Sequence, residues 1–271
     1  MNRIDKTLSA LKAANKKMLS PYITAGDPTP RHTVDLMHAL VDAGADVLEI
    51  GIPFSDPMAE GPVIQAAMER ALNHQVNCEQ VLDMVSEFRR KDSQTPIVIM
   101  GYVNPVEIYG YERFAIKAQQ AGVDGTILVD LPPEESKTVS AIWKAHGLYS
   151  IYLCSPTTSD ERMKLINEYG QGYLYYVSLK GVTGSDALDM KAVKDNYQYR
   201  KTQTNLPLMV GFGIKTPQMA ASVSEFSEGV IVGAALINTM IEAYNHKQDI
   251  NLAAKTLINS MRNAIDGKND E

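Results

Sequence analysis

Residues 46–62 read DVLEIGIPFSDPMAEGP, an apolar run carrying one acid, then a turn rich in proline and glycine. Alternation places Val47, Glu49 and Gly51 on one face of the run and Leu48 and Ile50 on the other, the pattern of a strand. Seven more runs have this form, each closed by Gly, Pro or Asp: LSPYIT (19–24), PIVIMG (96–101), GTILVD (125–130), YSIYLC (149–154), YLYYVS (173–178), LPLMVG (206–211) and GVIVGA (229–234). Between them lie amphipathic stretches such as TVDLMHALVDAGA, CEQVLDMVSEFRRK and ESKTVSAIWKAHG, apolar at i, i+3, i+4 and i+7.

Strict alternation of strand and helix argues for a parallel sheet, because parallel neighbours need a crossover of about a dozen residues. Eight such units in 271 residues match an α/β fold of the (β/α)8 TIM barrel type. IDKTLSALKAANKK supplies an extra N-terminal helix and NLAAKTLINSMRNAI a closing one. No linker, low-complexity tract or charge block divides the chain, so residues 1–271 read as a single domain. An open doubly wound sheet would want a glycine-rich fingerprint after the first strand, where TAGDPTP has one Gly and two Pro.

With 26 Lys and Arg against 32 Asp and Glu, the net charge of −6 offers no basic surface for a nucleic-acid backbone. No stretch approaches the ~18 apolar residues of a membrane span, and two cysteines are too few for a disulfide framework. The expectation is a cytoplasmic protein without nucleic-acid or membrane partners. The five histidines make no HxxxH or Cys/His cluster, so no metal site is expected. Cys154 reads as a core thiol.

In a barrel of this kind chemistry sits at the carboxyl ends of the strands. If Leu48 and Ile50 pack under helices, Glu49 points into the barrel mouth, where desolvation raises a carboxyl into the range useful for general acid–base work. The bland alternative is a structural carboxylate paired with a donor on a neighbouring strand. In the loop that follows, Asp56 and Glu60 can swing over the mouth, and the apolar Pro53, Phe54 and Met58 suit a docking surface. SLKGVTGSDA, with Gly181 and Gly184, reads as a hinged loop able to bring backbone N–H groups to an anion. Gly211, Gly213 and Gly233, with a helix opening at Ala234, fit the phosphate site this fold builds after its last two strands. Tyr175, with Tyr173 and Val177, faces inward by alternation.

Together these residues closely resemble the tryptophan synthase α-subunit family. ITAGDP, LEIGIPFSDPMAEGPVIQ, GVDGTILVDLPPEE, SLKGVTG and GFGIKTP carry the resemblance, which spans nearly the whole chain. It implies a lyase of tryptophan biosynthesis that cleaves indole-3-glycerol phosphate to indole and glyceraldehyde 3-phosphate in a retro-aldol reaction. By this resemblance Glu49 is the catalytic glutamate, and Glu60 is the second catalytic acid, where the family usually has Asp. Tyr175 stands for the tyrosine beside the glutamate, and Tyr22 and Met100 for the family's Phe and Leu of the indole pocket. Thr183, Gly184, Gly211, Phe212, Gly213, Gly233 and Ala234 complete the substrate-binding set, with Ala234 replacing a usual Ser. The resemblance also implies a β-subunit partner in an α2β2 heterotetramer, which takes up indole using pyridoxal phosphate; no cofactor is expected in this chain. A Schiff-base aldolase using Lys180 and a mainly allosteric partner of the β subunit are the rival readings.

Overall fold

The computed structural model describes residues 1–178, 190–211 and 213–267. Among these the strands are β1 (Met18–Thr24), β2 (Leu48–Gly51), β3 (Ile97–Gly101), β4 (Gly125–Leu128), β5 (Tyr149–Ser150), β6 (Leu153–Cys154), β7 (Leu174–Val177), β8 (Leu208–Gly211) and β9 (Gly229–Val232). They form one parallel sheet in the order β5-β4-β3-β2-β1-β9-β8-β7-β6. Its two ends, β5 and β6, are halves of the same extended segment, so the sheet curls into a barrel.

That segment departs from expectation. YSIYLC reads as one strand but pairs as two: β5 pairs with β4, and β6 with β7. Between them the Ile151 N–H donates to Thr126 O at 2.9 Å on one side, and the Tyr175 N–H donates to Tyr152 O at 2.9 Å on the other. The pleat is unbroken, since Ile151 points into the barrel interior while Tyr152 and Cys154 pack outside. Burial pushes the Cys154 thiol up to about 12, which makes it an inert core residue.

Around the sheet run α1 (Arg3–Ala13), α2 (Thr33–Asp42), α3 (Pro62–Asn73), α4 (Cys78–Phe88), α5 (Val103–Tyr109), α6 (Tyr111–Ala121), α7 (Lys137–Ala145), α8 (Asp160–Tyr169), α9 (Met190–Lys201), α10 (Pro217–Ser224), α11 (Ala234–Asn245) and α12 (Ile250–Ile265). The period-2 alternation sorts the core into two layers. Met18, Tyr22, Val47, Val98, Met100, Tyr173, Met209 and Ile231 fill the barrel. Leu19, Leu48, Ile50, Ile97, Ile99 and Val230 pack under the helices.

The barrel's amino-terminal end is closed by α1, whose Ile4, Leu8 and Leu11 join the interior cluster. Asn2 caps that helix by accepting from the Ile4 N–H at 2.9 Å. Beside it Asp124, just before β4, accepts from Arg3 Nη1 at 3.0 Å, Arg89 Nη2 at 3.0 Å and the Ile97 N–H at 2.9 Å. This buried hub ties α1, the end of α4 and β3 to one carboxylate, and leaves the opposite end of the barrel open for chemistry.

Candidate active site

Glu49 sits on β2 facing inward and has no solvent exposure. Its Oε1 accepts a 2.7 Å hydrogen bond from the Tyr173 hydroxyl, and its Oε2 has no partner. Burial pushes the carboxyl up to about 8; Tyr173 and Ser20 oppose that rise and Glu60 adds to it. At neutral pH the side chain is therefore mainly a neutral acid.

Glu60 closes the loop after β2. Phe54 in that loop stacks on Tyr102 with ring centroids 5.2 Å apart, and the Tyr102 hydroxyl accepts from the Ala59 N–H at 3.1 Å. Gln65, in the first turn of α3, donates its side-chain amide to Glu60 O at 2.8 Å. Gly61 caps α3 and Pro62 opens it, a position where a missing N–H costs nothing. These contacts fix the backbone so that the half-buried Glu60 side chain lines the mouth, and burial there pushes its carboxyl up to about 7.

Both acids open on one cavity of about 530 Å³, within the usual range for a small-molecule site. Tyr22, Met100 and Tyr175 form its wall near the acids, with Ile64 and Ile231 adding apolar surface. Gly213, Gly233 and Ala234 line the side built by the ends of β8 and β9, and α11 begins there at Ala234. The geometry thus joins eight of the expected site residues. Thr183, Gly184 and Phe212 lie outside the described residues, as does Lys180.

The hydrogen bond to Glu49 comes from Tyr173, and Tyr175, two residues later on the same inward face, lines the cavity with Glu49. At Gly211, expected at the phosphate, an added Cβ would collide with the Tyr175 hydroxyl and ring, so its bareness admits that aromatic side chain. Gly51 does the same for Tyr22, whose Cζ would lie 2.7 Å from an added Cβ. Gly51→Ala is expected to push the Tyr22 ring into the cavity, raising KM about tenfold and costing about 1–3 kcal/mol of stability. Steady-state kinetics with a thermal melt check both effects.

Sequence reasoning did not single out Ser20, which shares the inward face of β1 with Tyr22, or Lys215, the one cation among the described residues lining the cavity. A polar residue in phase with inward positions was the available signal for Ser20. The GFGIKTP motif contains Lys215, a charge beside the glycine expected at the phosphate.

The family model for the tryptophan synthase alpha chain matches residues 8–266. The chain belongs to the tryptophan synthase alpha chain family. It is 69% identical to the tryptophan synthase alpha chain of Legionella pneumophila strain Lens over 98% of each chain, and 52% identical to that of Thioalkalivibrio sulfidiphilus over 98% of this chain and 100% of that one. The crystal structure of tryptophan synthase subunit alpha from Legionella pneumophila strain Paris superposes with a TM-score of 0.95 at 66% identity, covering 98% of this chain and 99% of that one. The tryptophan synthase from M. tuberculosis in its aminoacrylate-bound form gives 0.86 at 29% identity, covering 98% and 100%. As a member of that family, the protein is a lyase of tryptophan biosynthesis that cleaves indole-3-glycerol phosphate and works with a beta subunit.

Proposed function

We propose that Glu49 carries the protons of this cleavage and that Glu60 is the anion facing the indole nitrogen. The observation that carries the reading is a fully buried, largely neutral carboxyl sharing an apolar cavity with a second, half-buried acid. Breaking the bond between indole C3 and the glycerol carbon requires a proton at C3. Neutral Glu49 donates it, while Glu60 offsets the positive charge that develops at the ring nitrogen. The Glu49 carboxylate then takes the proton of the adjacent glycerol hydroxyl, the carbon–carbon bond electrons return to the ring, and the aldehyde of glyceraldehyde 3-phosphate forms. One proton given and one taken restores Glu49.

Tyr22, Met100 and Tyr175 hold the indole ring. Backbone groups at Gly213, Gly233 and Ala234 hold the phosphate, with Lys215 supplying positive charge on that side of the cavity. Thr183, Gly184 and Phe212 belong to the same reading. The whole chain acts as one cytoplasmic barrel domain in an α2β2 assembly; it uses no cofactor of its own, and the pyridoxal phosphate chemistry belongs to the β subunit. Met58, 84% exposed, and Phe54 give the loop after β2 an apolar face for that partner.

The pH profile tests the two roles. Activity needs Glu49 protonated and Glu60 ionised, so kcat/KM is expected to form a narrow bell with limbs near pH 7 and pH 8, values that belong to the coupled pair. Glu60→Gln is expected to lower kcat about 100-fold, while Glu60→Asp, which keeps the charge, stays within about tenfold. An acid limb that survives in Glu60→Gln would remove Glu60 from the mechanism.

A further inference from the structure

Two buried oxygens on neighbouring strands lack hydrogen-bond partners: Oε2 of Glu49 and Oγ of Ser20. Neither residue has any solvent exposure. β1 and β2 run parallel with Tyr22 opposite Glu49, and Ser20, one pleat repeat earlier, faces the same interior. A buried polar atom without a partner is costly and calls for an explanation. Here the two orphaned atoms explain each other, because a serine hydroxyl is a rotor that turns to suit its neighbour.

We infer that Ser20 is a positioning residue for the cleavage, its hydroxyl turning to donate to Glu49 Oε2 when the carboxyl gives up its proton and turning away when the proton returns. The inference rests on the reading of Glu49 as proton carrier. In the neutral state Oε1 accepts from Tyr173, and the acid proton occupies Oε2. Passing that proton to the substrate leaves an anion among Val98, Met100 and Ile231, with Tyr173 holding only one of its oxygens.

The titratable groups facing it are Tyr22 on β1, Tyr173 and Tyr175 at β7, and Glu60 above. Burial raises all three phenols above their ordinary range, and Glu60 opposes ionisation of its neighbour. Ser20 is a further donor among the described residues, placed on the neighbouring strand so that its hydroxyl opposes the upward push of burial on Glu49. A hydrogen bond made to the anion and absent in the acid lowers the barrier to proton transfer, because it strengthens as charge develops.

Ser20→Ala removes the donor without adding bulk. The alkaline limb of kcat/KM is expected to move up by about one pH unit, with kcat about tenfold lower at neutral pH. Ser20→Thr, which keeps a hydroxyl, is expected to return the limb toward its original position. The ionisation of Glu49 is read independently of turnover from its protonated-carboxyl infrared band, identified by its loss in Glu49→Gln. A band and a limb that both stay in place in folded Ser20→Ala overturn the proposal. A band that moves while the limb does not supports the grip of Ser20 on Glu49 and overturns the assignment of Glu49 as the acid in the reaction.

Discussion

Glu49→Gln is expected to abolish indole formation and, at alkaline pH, to make the protein more stable. The first effect follows from removing the one carboxyl among the described residues at the base of the cavity, the group proposed to give and take the proton; a loss of about 1,000-fold or more in kcat matches an essential acid–base residue. Binding of an indole-bearing phosphate analogue is expected to survive, because the walls and the glycine side are untouched.

The second effect follows from the direction of the pKa shift. The carboxyl is raised from 4.5 to about 8 in the folded state, so folding holds its proton more tightly than the unfolded chain does. Its contribution to stability is fully present below pH 4.5 and is lost as the pH rises to 8. A shift of this size corresponds to roughly 3–5 kcal/mol at pH 9, which a neutral glutamine does not lose. Glutamine also accepts from Tyr173 and donates its amide toward Ser20. Thermal unfolding of both proteins at pH 5 and pH 9 tests this: the advantage of the variant should widen by several degrees at the higher pH, and a constant gap would mean that the acid is not desolvated.

Asp124→Ala is expected to cost about 3–5 kcal/mol without touching the chemistry. The Asp124 side chain is only 3% exposed and faces two guanidinium groups. Arg89 is itself so enclosed that burial pulls it down to about 10, and removing the carboxylate leaves its buried charge with Asp92, 4.0 Å away, as the remaining acid beside it. The Ile97 N–H loses its acceptor at the same time. A fall in melting temperature of roughly 10 °C is expected, with kcat per folded molecule unchanged at low temperature, since the hub lies at the closed end of the barrel. Asp124→Asn, which keeps an acceptor for Ile97, should lose less.

The barrel was legible because its strands are buried on both faces and its helices on one, so two periodicities mark the chain without ambiguity. Glu49 stood out for a related reason: a single acid in phase with Val47 and Gly51, inside an apolar run, has nowhere to point but inward. Three features were not legible. The fifth strand splits its pairing although its alternation is unbroken, and pairing leaves no trace in side-chain pattern. Tyr173 and Tyr175 share one inward face, and only the depth at which each meets β2 decides which one reaches the carboxyl. Gly211 carries no sign of whether its missing side chain admits a ligand or a ring; the Tyr175 phenol, distant in sequence, fills the space.

The divided fifth strand also bears on how the ring comes apart. Its two ladders are two residues long each, no longer than the β8–β9 pairing, which makes this one of the thin joints in the circle, where backbone amides should exchange early. On one arc from that joint stands β2 with Glu49, and on the other stands Tyr173 at the entrance to β7. Their hydrogen bond spans the hollow like a tie-rod, so the contact that tunes the acid also helps keep the two half-rings from parting.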